Sequence, residues 1–310
     1  MKKLLSILLA SILIFSLGAC GNGDNQISDP TPPPDDPEIP EEQLLTMTAE
    51  EWPIVDGATA FLPYYTAVAS KILGVSEPEA SDYVLCSTTD FAYPDLINKK
   101  ADIIFCLLPS EDQVKYAQEM DVTLVCTPII NEAFVFFVNR SNPVDELSIE
   151  QLRDIYAGRI TNWKEVGGDD LPIIAYQRSE GSGSQTGLYL HVVPQDEVMI
   201  PPLEKRIGTM GEIVDAVAGY DNAEGAIGYS YLYFITNQHY DEQIKVLKIN
   251  GIEASKDNVA SGRYPMISQA CAVYRAGDEE NAAGLIAAWC AGPQGQKLAE
   301  EKGYVPNKTK

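Results

Sequence analysis

Ile173-Ile174-Ala175-Tyr176-Gln177-Arg178 runs directly into Ser179-Glu180-Gly181-Ser182-Gly183-Ser184-Gln185-Thr186. A short apolar run predicts a buried strand, and Leu188, Leu190 and Val192 predict a helix from about Gln185. Between them lie a base, two glycines and four hydroxyl side chains counting Thr186. A strand that hands over to a helix through such a loop is the unit of an α/β fold. The helix start presents unpaired amides and partial positive charge, glycines let a ligand approach the backbone, and Arg178 can offer a bidentate fork. These properties suit an oxyanion.

The same unit recurs upstream. Trp52-Pro53-Ile54-Val55 reads as a strand, followed by Asp56-Gly57-Ala58-Thr59 and a helix carrying Leu62, Tyr65, Ala69 and Ile72, with Pro63 in its first turn. Tyr83 to Cys86 reads as a second strand, with Thr88-Thr89 before a short helix from Phe91 to Asn98. Ile103–Leu108, Val122–Cys126 and Phe134–Val138 read as further strands, the last apolar on both faces. Ser148-Ile149-Glu150-Gln151 has capping-box form, Ile149, Leu152 and Ile155 line one helix face, and Gly158 is placed to end it. The alternation predicts an α/β architecture of mostly parallel sheet flanked by helices. Ser and Thr are also the commonest helix caps, so any single hydroxyl loop reads as readily as a cap.

Composition narrows the function. The chain has 310 residues, 22 Lys+Arg against 45 Asp+Glu, and 45% apolar residues. That content supports a core, and the length suggests two lobes. A net charge of −23 argues against a nucleic-acid partner, which needs a basic face. His191 and His239 stand alone, and no Cys/His pair has zinc-ligand spacing, so neither metal nor cofactor is expected. Gly181 to Gly187 is G-x-G-x-x-x-G, one residue too long for a dinucleotide fingerprint. With no G-x-S-x-G elbow, P-loop lysine or H-E-x-x-H, an enzyme such as a phosphatase is not expected.

The N-terminus reads as an address. Lys2-Lys3, the apolar run Leu4–Leu17 and then Gly18-Ala19-Cys20 have the form of a secretory signal over residues 1–19. Leu17-Gly18-Ala19-Cys20 resembles a bacterial lipobox, which implies diacylglycerol on Cys20. Residues 20–45 then form an acidic, proline-rich and disordered tether, reaching about 60–70 Å at roughly 3.1 Å per residue. The other cysteines are 86, 106, 126, 271 and 290. Buried free thiols are the expectation at the first three, and Cys271 with Cys290 stays open between free thiols and a disulfide.

NPVDELSIEQLRDIYAGRITNWKEVGG (142–168) and YQRSEGSGSQT (176–186) closely resemble the phosphate-binding proteins of bacterial phosphate ABC importers. DGATAFLP (56–63), GAIGYSYLYF (225–234), NVASGRYP (258–265) and GYVP (303–306) add to a resemblance covering about 52–306. It implies a type II periplasmic-binding fold, with one lobe from 46–139 plus 262–310 and a second from 140–261, joined by two crossing strands. It also implies a monomer on the extracytoplasmic face that binds phosphate and serves a permease and an ATPase. The matching ligand positions are Thr59 with Ala60, Thr88 or Thr89, Arg178, and Ser182-Gly183-Ser184. Another small oxyanion, or a surface sensor that kept the fold, are the alternatives. Many members of this family carry an Asp after the third strand, which accepts the proton of hydrogen phosphate. Here that stretch is IIFCLLPS (103–110), with no acid before Glu111. Recognition is therefore expected to fall to hydroxyls and carbonyls, or to Glu111 or Asp112 folding back.

Overall fold

Two long strands carry the architecture. The computed structural model describes residues 45–202, 205–219 and 223–307; the signal, Cys20 and nearly all of the tether lie outside the described residues. The chain opens with β1 (Val55–Gly57), α1 (Leu62–Leu73), α2 (Glu77–Ala80), α3 (Thr89–Ile97), β2 (Ile103–Leu107) and α4 (Glu111–Glu119). Next comes β3 (Leu124–Asn139), a 16-residue strand. It leads into β4 (Glu146–Leu147), α5 (Ile149–Tyr156), β5 (Ile174–Ala175), β6 (Gln177–Arg178), α6 (Gly183–His191), β7 (Arg206–Ile207) and α7 (Met210–Ala218). Then follow β8 (Ala226–Tyr231), β9 (Ile244–Val246), β10 (Lys248–Ile249) and α8 (Lys256–Ala260). The chain returns through β11 (Ile267–Arg275), α9 (Ala282–Ala291), α10 (Pro293–Glu301) and β12 (Val305–Pro306).

The main sheet has the order β1-β2-β11-β3-β8-β5. Its parallel pairs are β1–β2 at one end and β5–β8 at the other. Every antiparallel pair involves β3 or β11, the strands that run between the ends. The first part of β3 pairs with β11, and Phe134 to Val138 pairs with β8. The separate strands expected at Val122–Cys126 and Phe134–Val138 are thus one strand. Pro128 between them is accommodated where the register with β11 shifts: Cys271 faces Pro128 and Ala270 faces Ile130, leaving Ile129 as the extra residue of a bulge. A bulge tolerates a residue with no N–H to give to the ladder.

Local expectations mostly hold, with three corrections. Ser148 caps α5 through Gln151, with the reciprocal bond present, and Gly158 leaves the helix at φ 73°. Tyr83–Cys86 is not a strand: Ser81–Tyr83 is a 3-10 turn and only Val84 bridges to Val55. The pairing ends there because buried Asp56 draws the segment into a turn, accepting from the amides of Gly57 (2.7 Å) and Ser87 (2.8 Å) and from the Ser87 hydroxyl. Cys86 is accordingly exposed rather than buried, and all five described cysteines are free, so Cys271 and Cys290 form no disulfide. Leu45, counted with the tether, packs partly buried against the core.

Residues 44–310 form one compact unit. Its centre is aromatic: Phe134 meets Phe136, Tyr229 and Tyr231 with ring centroids 5.4–5.5 Å apart, and Tyr156 meets Tyr229 at 5.5 Å. Such tilted pairs add roughly 0.5–1.5 kcal/mol each beyond area burial. The cluster straddles β3 and β8 and fixes the floor beneath α6. No helix among the described residues is long and apolar enough to cross a membrane.

Candidate anion-binding site

Four helical starts converge on one cavity of about 290 Å³. They are the turn Thr59–Phe61 and the first residues of α3, α6 and α7. All eight residues expected at the ligand line it: Thr59, Ala60, Thr88, Thr89, Arg178, Ser182, Gly183 and Ser184. Converging helix N-termini give the space a positive potential without a concentration of basic side chains. Arg178 and Asp90 are the charged residues of the lining.

Arg178 is held in place by its own backbone and two of its three nitrogens. Its amide donates to Gln185 Oε1 (3.0 Å) and to the Tyr229 hydroxyl (2.9 Å), which itself donates to Gln185. Nε gives to the carbonyl of Ile207 (3.1 Å) and Nη2 to that of Gly208 (2.9 Å). Nη1 is buried without a partner, although Arg178 is only 7% exposed. Burial lowers the Arg178 pKa from its ordinary value, with Tyr229 and Asp90 pulling the other way. A guanidinium nitrogen left dry and unpaired costs stability until an acceptor reaches it.

The hydroxyls divide by role. α6 begins at Gly183, two residues earlier than expected, and Ser182 is its cap, accepting from the Gln185 amide at 3.2 Å. The capping reading is therefore true of Ser182, although its O–H proton can still be donated. Ser184 and Thr89 are nearly fully buried, Thr59 is half-buried and Thr88 is exposed. Thr88 stands at φ 72°, ψ 164°, uncommon for a β-branched residue, and makes no capping bond. Strain of this kind costs on the order of 1–3 kcal/mol and persists only where surroundings impose it. Gly183 is needed for close approach: a Cβ there would sit 3.0 Å from Thr89 Oγ1 and 3.2 Å from Leu107 Cδ1. The α3 and α6 starts therefore touch across the cavity.

Sequence reasoning missed the fourth wall. Gly208-Thr209-Met210-Gly211 lines the cavity at the start of α7, where Thr209 and Glu212 form a capping box. That T-x-x-E pattern is a readable helix start. Asp90, Tyr231 and Phe234 were missed as well. Glu111 and Asp112 do not fold back: Ser110 caps α4 in a box with Gln113, and both acids are exposed in its first turn. No group of three or more His, Cys, Asp or Glu that could hold a metal occurs among the described residues.

Comparison with known proteins agrees with this architecture. A phosphate-binding protein PstS of Bacillus subtilis is 24% identical over 311 aligned residues, covering 98% of this chain and 94% of that protein. Among solved structures, a Clostridium perfringens protein assigned as a phosphate ABC transporter substrate-binding protein, with phosphate bound, superposes with a TM-score of 0.66. It is 22% identical, with 82% of this chain and 98% of that one covered. An ABC-type phosphate transport receptor from Vibrio cholerae gives a TM-score of 0.62 at 23% identity, covering 81% and 98%. These likenesses establish the two-lobed type II periplasmic-binding fold expected from the sequence. The relatives are binding proteins, and the expectation that this chain is not an enzyme stands with them. The family model described as "PBP superfamily domain" matches residues 51–291, and the chain belongs to that family.

Proposed function

We propose that this protein captures inorganic phosphate between its lobes and delivers it to an ABC importer. One observation carries the reading: Arg178 Nη1 is buried and unpartnered at a cavity rimmed by Thr59, Thr88, Thr89 and Ser184. Its other two nitrogens are fixed on carbonyls, so the guanidinium is oriented before any ligand arrives, and preorganised donors bind at lower cost. Ala60 contributes backbone, and Ser182 and Gly183 contribute the α6 start. The names of the relatives favour phosphate over other anions.

In this reading the lobes are 46–139 plus 262–310, and 140–261. Residues 1–19 are a signal peptide, Cys20 carries lipid, and the monomer works on the extracytoplasmic face beside a permease and an ATPase. Titration calorimetry with phosphate, sulfate, arsenate and molybdate tests the ligand: phosphate and its close analogue arsenate should bind in preference to the other two. Heat from molybdate or sulfate alone would overturn it. A second reading, a larger oxyanion, draws on the cavity's size. About 290 Å³ exceeds the space of a few waters at roughly 30 Å³ each, and Phe61, Leu107, Met210 and Phe234 give it an apolar side.

The anchor has its own test. Cys20→Ala should move the protein from the membrane fraction to the medium, or stall it unprocessed, because the acyl chains contribute roughly 0.8 kcal/mol per buried CH₂. Unchanged membrane retention would remove lipidation from the proposal.

A further inference from the structure

A second cavity, of about 180 Å³, also has Arg178 in its lining. Gln177, Arg178 and Arg206 reach it from the β6–β7 ladder, in which Gln177 is level with Arg206 and Arg178 with Ile207. Val198, Met199, Ile200 and Pro201 give it an apolar wall. That wall is fixed at Met199, whose amide donates to the Tyr156 carbonyl and whose carbonyl accepts from Gln177 Nε2, both at 2.9 Å. Ile200 is 86% exposed, the most of any large apolar side chain among the described residues. Gln177 and Arg178 are buried, and Arg178 spends two of its five N–H donors on carbonyls, so three remain. Two guanidinium groups stand against one carboxylate in this lining, that of Glu180, which accepts from the Tyr189 hydroxyl at 2.8 Å. A polar cleft ordinarily holds only water. Water has no use for an apolar wall that ends in an exposed isoleucine.

We propose that this second cavity binds a small aliphatic monocarboxylate, and that the bound acid weakens the main cavity's hold on its oxyanion through Arg178. The second half rests on the oxyanion reading of the main cavity; the first does not. Guanidinium groups offer a carboxylate charge-assisted bonds in matching fork geometry, and Arg206 and Arg178 supply them here. The tail lies along the wall from Val198 to Pro201, where each methylene leaves water. Two bases against Glu180 leave one positive charge, which a single carboxylate balances and a dianion exceeds. Arg178 belongs to both linings, whereas Arg206 belongs to the second alone. Two anions that share one cation repel each other, so each lowers the other's affinity by the same factor.

The experiment titrates acetate, propionate and butyrate into wild type, Arg206→Ala and Ile200→Ser, then phosphate at rising fixed concentrations of butyrate. Affinity should climb from acetate to butyrate by up to about fourfold per CH₂. Saturating butyrate should raise the phosphate Kd by about fivefold or more and then reach a plateau. Arg206→Ala should lose butyrate by about tenfold or more while keeping the phosphate affinity measured without butyrate. Ile200→Ser should flatten the gain with tail length and leave acetate unchanged, and it serves if the arginine variant does not fold. Wild type that binds no butyrate overturns the proposal, as does butyrate binding undiminished in Arg206→Ala. A phosphate Kd that rises with butyrate without a plateau overturns it too, since the acid then sits in the main cavity. A phosphate Kd indifferent to saturating butyrate overturns the coupling. Wild type that binds butyrate but no phosphate removes the oxyanion reading instead and leaves the acid site standing.

Discussion

Phosphate binding is expected to collapse in Arg178→Ala, by about two to three orders of magnitude, while Arg153→Ala changes it by less than about threefold. Truncating one partner of a buried, hydrogen-bonded charge pair costs roughly 2–5 kcal/mol, and each 1.4 kcal/mol is about tenfold. Arg153 is exposed on α5, with Nε on the Val192 carbonyl at 2.9 Å, and does not line the cavity. Removing it touches packing, not ligand. Arg178→Ala also strips the carbonyls of Ile207 and Gly208 of their donor, so the free protein should lose stability as well.

Melting curves separate the two effects. With phosphate at about a thousand times its Kd, a single-site ligand raises the unfolding free energy by about 4 kcal/mol. At that phosphate concentration the increment should be nearly full in wild type and Arg153→Ala and shrink to about 0.4–1.4 kcal/mol in Arg178→Ala. Arg178→Lys should fall between, because an ammonium is a point charge that cannot span two carbonyls and a ligand in one plane. A phosphate increment undiminished in Arg178→Ala would place the anion elsewhere.

How far the sequence could be read depended on whether a feature was local. Ser148 with Gln151, Gly158, and the strand–loop–helix unit at Arg178 are set by neighbours within a few residues, and each is found within two residues of where the pattern puts it. Thr59, Thr89 and Ser184 were legible as hydroxyls at helix starts lining one cavity, because the chemistry that attracts an anion belongs to the start itself. The strand at Tyr83–Cys86 failed because Asp56, some thirty residues away, takes the Ser87 amide. Asp90 was invisible as part of the cavity wall for the same reason. Beside Thr89 it reads only as an acid in a first helical turn, and its sharing a cavity with Arg178 depends on α3 and β6 being brought together by the fold. Pro128 broke β3 in the sequence but not in the fold, because the bulge that absorbs it is made jointly with β11.

Glu132 shows the same dependence on distant packing, and it gives the largest expected stability effect. It lies on β3 only 5% exposed, with Oε1 accepting from the amides of Ala133 (3.1 Å) and Tyr233 (3.2 Å). Burial pushes its carboxyl up to about 7 from an ordinary 4.5, against the pull of those amides and of Lys256. An acid whose pKa is raised by folding holds more protons folded than unfolded between those values. Stability therefore falls as pH rises from about 4.5 to about 7, by on the order of 3 kcal/mol in total, and stays lowered above. His191 acts in the opposite sense. It is stacked on Phe134, and burial lowers it to about 4 from 6.5, so its contribution is lost as pH falls through that window. The two slopes oppose each other between about pH 4.5 and 6.5, which hides both in the wild-type curve. Glu132→Gln uncovers them, because the amide keeps an acceptor for both N–H groups and cannot ionise. Denaturant midpoints at pH 5 and pH 8 should show the variant gaining on wild type by about 2–3 kcal/mol between the two values. Any fixed cost of the new NH₂ group, roughly 1–3 kcal/mol, shifts both midpoints equally and drops out of that difference. Parallel pH curves for the two proteins would mean that Glu132 is ionised at no cost, its charge already balanced by the two amides and Lys256.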